Sequence, residues 1–524
     1  MALRGENGTS DSTDGNKWFD IHAPVFWPAV ILIAAMIIGT LIAGDAAESA
    51  FNTARVNITD WASWLFVAGV NIFIGFALYF AFSKFGDIRL GGQDAKPEFS
   101  TMAWFAMLFS AGMGIGLMFF SVAEPMWHLL YPPHAETGST QAVRDAMGVT
   151  FLHWGLHAWA VYAIVALALA FFAFNRNLPL SFRSVFYPLL GDRIKGWMGD
   201  VIDILAVLAT LFGLATSLGL GAQQAGAGMN FVFGFENTTT LQVIIIAAVT
   251  LVATGSVVLG IDKGVKVLSE FNIRLAGLFL LFILVVGPTL YILGTFVQST
   301  GYYIQTFAEY ATWTQSFEEG SFMSTWTVFY WAWWISWSPF VGLFVASISR
   351  GRTVREFVLG ALTVPTIFTF VWFSVFGGSA FHLELGSSPG IAQTIAQNIE
   401  TGLFELYSYY PMSTLLTLVT ILLLIVFFIT SADSATYVLA MMTSNGDLEP
   451  HASRKIIWGF TESAVAAILL LSGGLDALQK MAIAAALPFT IIMVLMCRSL
   501  YSGMKYDMSE GNFTGPEDIP LQDY

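Results

Sequence analysis

Twelve long apolar runs dominate this sequence of 524 residues. Each run has about 20 residues or more, the length that a helix needs to cross the hydrocarbon core of a bilayer. A helix satisfies its own backbone hydrogen bonds in lipid, so the runs predict an all-α integral membrane protein with twelve transmembrane helices. The predicted spans lie at about 25–44, 61–83, 101–123, 147–174, 201–233, 240–260, 272–296, 322–348, 354–382, 411–441, 454–473 and 478–500. Charged residues make up 11% of the chain, against roughly 25% in soluble domains.

The basic residues predict the orientation of these spans. If the N-terminus is cytoplasmic, 19 of the 22 Lys and Arg residues fall on the cytoplasmic side, and Arg55, Arg144 and Lys480 fall outside. This bias follows the positive-inside rule. It predicts a multi-pass protein of the cell inner membrane with both termini cytoplasmic. The net charge of −14 gives no indication of a nucleic-acid partner.

Two aromatic clusters lie within apolar segments. Trp331-Ala-Trp-Trp-Ile-Ser-Trp337 holds four indoles in seven residues, and Trp154-Gly-Leu-His-Ala-Trp159-Ala-Val-Tyr162 adds three large aromatic side chains. Tryptophan in membrane proteins is enriched at the two water interfaces, yet the first cluster is near the middle of its span. Ring faces at that depth favour a cage for a cation without hydrogen-bond donors.

Two further patterns indicate an ion or substrate site. The stretch Ala111-Gly-Met-Gly-Ile-Gly-Leu117 places three glycines at alternate positions, which favours a locally unwound helix with free carbonyl groups, although close helix packing is the alternative. The tenth span contains Thr430 and Ser431, whose hydroxyls either bond back to their own helix or join such carbonyls around a monovalent ion.

Other classes of protein are less well supported by the sequence. The lone Cys497 excludes an internal disulfide and Cys-based metal centres. His153 and His157 have the i,i+4 spacing of a metal pair, but the sequence shows no third ligand beside them. No charged ring or filter repeat indicates an ion channel. We therefore expect neither an enzyme nor a bound cofactor.

The ordered motifs resemble those of the betaine/choline/carnitine transporter family over nearly the whole chain. They are Gly112-Met-Gly-Ile-Gly116, Trp154 to Tyr162, Trp331-Ala-Trp-Trp-Ile-Ser-Trp-Ser-Pro-Phe340, Ser349-Arg-Gly-Arg-Thr-Val-Arg-Glu356 and Phe427-Phe-Ile-Thr-Ser-Ala-Asp433. The resemblance implies two inverted five-helix repeats preceded by two extra helices, and a homotrimer in contact with membrane lipid. The implied segments are 1–24 (cytoplasmic), 25–100 (two additional helices), 101–296 (first repeat), 297–321 (surface amphipathic helix at the trimer contact), 322–503 (second repeat) and 504–524 (acidic cytoplasmic tail).

The resemblance also implies the site residues. The aromatic box would consist of Trp154, Trp159, Tyr162 and Trp334. Nearby substrate-binding or path residues would be Trp333, Trp337, Phe344 and Met113. Trp333 and Trp337 are four residues apart on a helix, so we expect Trp334 to point about 100° away from them. One sodium site would use carbonyls of Ser110, Met113 and Phe427 with the hydroxyls of Thr430 and Ser431.

A second sodium site of the family would use Thr210, the position four residues later, and Phe340. That later position is Leu214 here, so the missing hydroxyl places the second site in doubt. Thr216 lies about 200° round the helix from Leu214 and would not replace it.

The function implied by the resemblance is sodium-coupled import of a methylated onium compound. Glycine betaine or dimethylsulfoniopropionate ranks first, followed by choline or carnitine, and backbone NH groups of Gly112–Gly116 could bind a substrate carboxylate. The alternative is a sodium-independent exchanger or a proton-coupled choline-type transporter of the same fold. The short acidic tail differs from the long basic tail of osmotically regulated members, so we expect activity to depend weakly on osmotic stress.

Overall fold

In this computed structural model of the protein, every regular element among the described residues is helical. The structure describes residues 21–112, 114–258, 262–444, 446–447 and 449–509. Within these residues the α-helices are α1 (Ala23–Ala43), α2 (Asp45–Phe82), α3 (Thr101–Gly112), α4 (Ile115–Leu130), α5 (Thr140–Trp154), α6 (Leu156–Phe174), α7 (Phe182–Val185), α8 (Tyr187–Leu190), α9 (Trp197–Phe233), α10 (Thr239–Val258), α11 (Asp262–Val286), α12 (Thr289–Thr312), α13 (Val328–Ser347), α14 (Val354–His382), α15 (Ile391–Gln397), α16 (Gly402–Tyr407), α17 (Ser413–Met442) and α18 (Ala452–Ser509). The all-α prediction is confirmed.

The number of spans is lower than predicted when judged by helix length and composition. Among the described residues nine helices are long and apolar enough to cross a membrane, or ten if one bent pair counts as a span. The third predicted span is divided into α3, of 12 residues, and α4, of 16 residues, and each is too short to count as a span by itself. The last two predicted spans are the two arms of α18, which is kinked between them where Gly473 and Gly474 leave the helical conformation. Twelve spans and two inverted repeats remain predictions.

The seventh predicted span, 272–296, is wrong in its boundaries. Helix α11 ends at Val286 and α12 begins at Thr289, and the two meet at 110°. The break falls at Gly287 and Pro288, where glycine relaxes the backbone and proline cannot continue the hydrogen-bond ladder of α11. Helix α12 therefore begins before the segment 297–321, which was predicted to hold the surface helix, and it ends at Thr312. Its position at the membrane surface remains a prediction.

The aromatic-rich helices form the centre of the bundle. In the most apolar window of Met323–Ser347, 94% of the residues are buried, whereas the corresponding value for α1 is 28%. Helix α13 packs against α6, α9 and α18, while α1 exposes large side chains such as Ile31, Leu41 and Ile42. Exposed aliphatic side chains on a helix of this composition suit contact with lipid. The central helices are thus screened from the bilayer by their neighbours.

Candidate functional site: an aromatic cage at a helix break

A break in the fourth predicted span positions the first tryptophan of the candidate cage. Helix α5 ends at Trp154 and α6 begins at Leu156, because Gly155 takes φ −95° and ψ −140°. A Cβ at position 155 would overlap the Phe151 carbonyl oxygen and lie 3.1 Å from the Phe370 ring, so the approach of the chain requires glycine. Trp154 therefore lies on a different helix from Trp159 and Tyr162, whereas the predicted span 147–174 placed all three on one helix.

The break frees two carbonyl groups, and both receive hydrogen bonds from other helices. The Trp334 indole donates from Nε1 to the His153 carbonyl at 2.8 Å, and the Thr369 hydroxyl donates to the Trp154 carbonyl at 3.1 Å. Buried backbone groups need such partners, since an unsatisfied carbonyl costs free energy. The break thereby joins α5 to α13 and α14 at the site.

The four predicted box residues form one continuous aromatic cluster. Trp154 meets Trp334 edge to face, with ring centroids 4.9 Å apart and an interplanar angle of 71°. Tyr162 contacts Trp334 at 6.3 Å and Trp159 at 5.6 Å, also edge to face. All four side chains are buried. The geometry thus places Trp154, Trp159, Tyr162 and Trp334 together, and their binding role remains a prediction.

The expectation that Trp334 points away from Trp333 is wrong for the positions of the two indole rings. The two indoles stack, with centroids 4.7 Å apart and an interplanar angle of 16°. Trp333 also meets Trp154 edge to face at 6.3 Å, and its Nε1 donates to the Ser217 hydroxyl at 3.3 Å. Helical periodicity fixes the direction of the Cα–Cβ bonds, but rotation about χ1 and χ2 can bring neighbouring large rings together. Trp333 is therefore part of the cluster.

Trp337 and Phe344 lie further along α13. The Trp337 ring packs against Phe340 with a centroid distance of 5.7 Å, and its Nε1 has no hydrogen-bond partner within the described part of the chain. Phe344 is 36% exposed, unlike the buried tryptophans. No aromatic contact joins either residue to the four box residues among those described. Their assignment to a substrate path remains a prediction.

Glu124, which was not predicted from the sequence, lies next to the cage on α4 and is fully buried. Its Oε2 accepts from Trp154 Nε1 at 2.7 Å and from the Tyr330 hydroxyl. Its Oε1 lies 2.7 Å from His153 Nδ1 and 3.4 Å from His128 Nε2. A hydrogen-bonded carboxylate thus contacts the cage directly. Its sequence signal was a lone Glu-Pro pair in an apolar stretch, with a histidine four residues later.

The histidines that the sequence analysis paired belong to different contacts. His153 bonds Glu124 and the Thr327 hydroxyl, whereas His157 stacks on Phe307 and approaches the Asn71 amide oxygen at 3.4 Å. The break at Gly155 separates them, so the i,i+4 relation does not hold. His153 does share a group with Glu124 and His128, whose ligand atoms lie within 4.8 Å. Both oxygens of Glu124 are already engaged in hydrogen bonds, which accounts for this group without a metal.

Helix α17, which carries the predicted sodium ligands Phe427, Thr430 and Ser431, lies against the break between α3 and α4. A Cβ at Gly114 would lie 3.9 Å from Ser431 Oγ and 4.0 Å from a ring carbon of Phe427. The Thr430 hydroxyl donates to the carbonyls of Val426 and Phe427, at 2.9 and 3.2 Å. Met113 is outside the described residues, and for Ser110 the structure gives only its place in α3. Ser431 therefore lies near the break, whereas the Thr430 hydroxyl bonds back to its own helix. The ion site remains a prediction.

The second predicted sodium site has the hydroxyl of Thr210 but lacks the hydroxyl expected four residues later, where this chain has Leu214. The Thr210 hydroxyl donates to the Ala206 carbonyl at 2.8 Å, and Leu214 is buried. The Thr216 hydroxyl donates to the carbonyls of Phe212 at 2.9 Å and of Leu478 on α18 at 3.1 Å. Phe340, also a predicted ligand, is buried on α13. The structure offers no substitute for the missing hydroxyl at position 214 through Thr216.

The fold and this site together define a helical multi-pass membrane protein with an internal aromatic cage. The sequence profile described as "BCCT, betaine/carnitine/choline family transporter" matches residues 24–509. The chain therefore belongs to the betaine/carnitine/choline transporter family, and it is a transporter rather than an enzyme.

Relatives match along nearly their full length. The glycine betaine transporter OpuD of Bacillus subtilis (strain 168) is 47% identical over 489 residues, which cover 93% of this chain and 95% of the relative. Glycine betaine transporter 1 of Vibrio parahaemolyticus is 46% identical over 499 residues, with 93% and 95% covered. A glycine betaine/proline/choline/ectoine transporter of the same species is 46% identical over 502 residues, with 94% and 89% covered.

Proposed function

We propose that this transporter imports a methylated onium compound together with sodium, by alternating access. The observation that carries the proposal is the buried cluster that joins Trp154, Trp159, Tyr162 and Trp334 through edge-to-face contacts. A quaternary ammonium has no N–H to donate, so aromatic faces are its natural ligands. Three or four such contacts, at about 2 kcal/mol each when desolvated, offset much of the cost of removing the cation from water.

Glycine betaine and dimethylsulfoniopropionate are the first candidate substrates, followed by choline and carnitine. The names of two relatives specify glycine betaine, and a third also includes choline, which supports the class. The cage reads the positive methylated group and does not distinguish nitrogen from sulfur as its centre. A panel of these compounds competing against labelled glycine betaine will rank them. Displacement by none of them would contradict the onium proposal.

Sodium coupling is supported by the meeting of α17 with the break that precedes α4. Hydroxyls such as those of Thr430 and Ser431 are neutral oxygen ligands, which suit a monovalent cation better than calcium. Interrupted helices at a central site are also typical of alternating-access transporters. Uptake of glycine betaine into proteoliposomes is expected to require an inward sodium gradient. Equal uptake without sodium would favour the alternative, a sodium-independent exchanger or a proton-coupled choline-type transporter.

Removal of either hydroxyl tests the ion site itself. We expect Thr430→Ala and Ser431→Ala to raise the sodium concentration for half-maximal uptake about tenfold, since a lost ligand costs on the order of 1.4 kcal/mol. Thr417→Ala is the matched control, because Thr417 is buried on the same helix and bonds back to Ser413 in the same way. A control variant with the same sodium shift would contradict the assignment.

The proposed assembly is a homotrimer in the cell inner membrane, with both termini cytoplasmic. The basic-residue bias supports the orientation. Helix α12 packs against α5 and α14 of its own protomer, and the trimer contact is proposed on the remaining surface of that helix. Light scattering of the purified protein, corrected for detergent, gives the number of protomers, and a single protomer mass would contradict the trimer.

A further inference from the structure

Glu124 is an ionisable side chain inside the bundle and contacts the aromatic cage through Trp154. It lies on α4 among apolar side chains and is fully buried. An ionisable side chain at such a depth is costly and marks a functional position by default. The described residues place no Lys or Arg in a salt bridge with it; its ion-pair contacts are the two imidazoles of His128 and His153.

The hydrogen bonds around Glu124 suit the ionised carboxylate. A carboxylate has about four acceptor sites and no proton to give. Its Oε2 receives the indole N–H of Trp154 at 2.7 Å and the hydroxyl of Tyr330, and an indole nitrogen can act only as a donor. Its Oε1 faces the two imidazole nitrogens, each of which can donate in a neutral tautomer. Four donors around two oxygens leave little place for a carboxyl proton.

This network reaches both indoles at the heart of the cage. Trp154 donates to Glu124 directly, and Trp334 donates to the carbonyl of His153, whose ring contacts Glu124. Donation of an N–H to an anion polarises the indole and makes its face more negative. The carboxylate also attracts a caged cation through space, across the width of one indole. At about 10 Å and an effective dielectric constant of about 20, that attraction is on the order of a tenfold gain in affinity.

We propose that Glu124 is a specificity-determining residue, the buried counter-charge for the onium group of the substrate. The inference rests on the proposed function and deepens it, since it explains how the site would separate a positively charged methylated group from an uncharged group of the same shape. Cation–π contacts alone favour the cation, and the carboxylate behind Trp154 adds to that preference. If Glu124 only held the indoles in place, its loss would weaken charged and uncharged ligands of the same shape equally.

Two ligands of equal shape and different charge separate these roles. Glycine betaine is compared with 3,3-dimethylbutanoate, in which carbon replaces the quaternary nitrogen. The dissociation constant of 3,3-dimethylbutanoate divided by that of glycine betaine gives a selectivity ratio. This ratio is measured at saturating sodium for wild type and for Glu124→Gln. We expect Glu124→Gln to weaken glycine betaine about tenfold more than 3,3-dimethylbutanoate, whose tert-butyl group carries no charge. Equal weakening of both ligands, or no weakening of either, would overturn the proposal.

Two further variants keep the test decisive if the glutamine protein folds poorly. Glu124→Asp keeps the charge on a shorter stem, so the ratio should stay near the wild-type value even if both affinities fall. Tyr330→Phe removes one donor and leaves the carboxylate, and should weaken both ligands alike. A ratio that falls as far in Glu124→Asp or Tyr330→Phe as in Glu124→Gln would overturn the proposal. A wild-type protein that binds neither glycine betaine nor choline would instead overturn the proposed function, and the inference with it.

Discussion

Replacing Trp334 with alanine is expected to weaken the binding of glycine betaine about 100-fold, since one desolvated cation–π contact is worth about 2 kcal/mol and its neighbours also lose support. Trp334 stacks on Trp333, meets Trp154 edge to face and donates to the His153 carbonyl. Its removal deletes one wall of the cage and leaves that carbonyl without its partner. Equilibrium binding of labelled glycine betaine to the purified protein measures the loss.

A matched tryptophan separates loss of binding from loss of stability. Trp458 on α18 is also fully buried, and its Nε1 donates to the Thr443 hydroxyl at 2.9 Å. Truncation of either buried indole is expected to cost about 3–5 kcal/mol of stability. Trp458→Ala should therefore lower the melting temperature as much as Trp334→Ala, while its affinity stays near that of wild type. Normal betaine affinity in Trp334→Ala would show that the cage assignment is wrong.

The identities of the cage residues could be predicted from sequence, but the way in which they meet could not. Trp154 and Trp334 stand in ordered motifs, and the structure places them 4.9 Å apart. The stacking of Trp333 on Trp334 depends on side-chain torsions, about which periodicity carries no information. The break at Gly155 could not be predicted either, because one glycine in an apolar run leaves mean hydropathy unchanged.

Glu124 was missed for a related reason. The predicted third span ended at residue 123, since a charge normally marks the end of an apolar run. Within the bundle that charge is satisfied by donors from α5 and α13, which lie far away in the sequence. A long-range network of this kind has no local signature. The break after α11 is different, because the Gly287-Pro288 pair was visible in the sequence and is a strong helix-breaking signal.

The second prediction with a large expected effect concerns Gly116, one of the three glycines that indicated an unwound helix. Gly116 on α4 lies directly under the cage. A Cβ at this position would overlap the Trp333 indole and lie 3.2 Å from Trp154 Cη2. Trp333 has little room to yield, because it stacks on both Phe329 and Trp334. We expect Gly116→Ala to displace the indoles and weaken glycine betaine binding about 50-fold, within the 1–3 kcal/mol typical of overpacking.

Two companion variants make the steric cause testable in the same binding measurement. Gly277→Ala on α11 is the control, because nothing lies within 4 Å of its added Cβ, and its affinity should equal that of wild type. Adding Trp333→Phe to Gly116→Ala replaces the obstructing indole with a smaller ring and should restore much of the affinity. The two changes touch each other, so their effects should not add. If the double variant binds more weakly than Gly116→Ala alone, contact with Trp333 is not why position 116 must be glycine, and the glycine would instead serve the backbone of the break between α3 and α4.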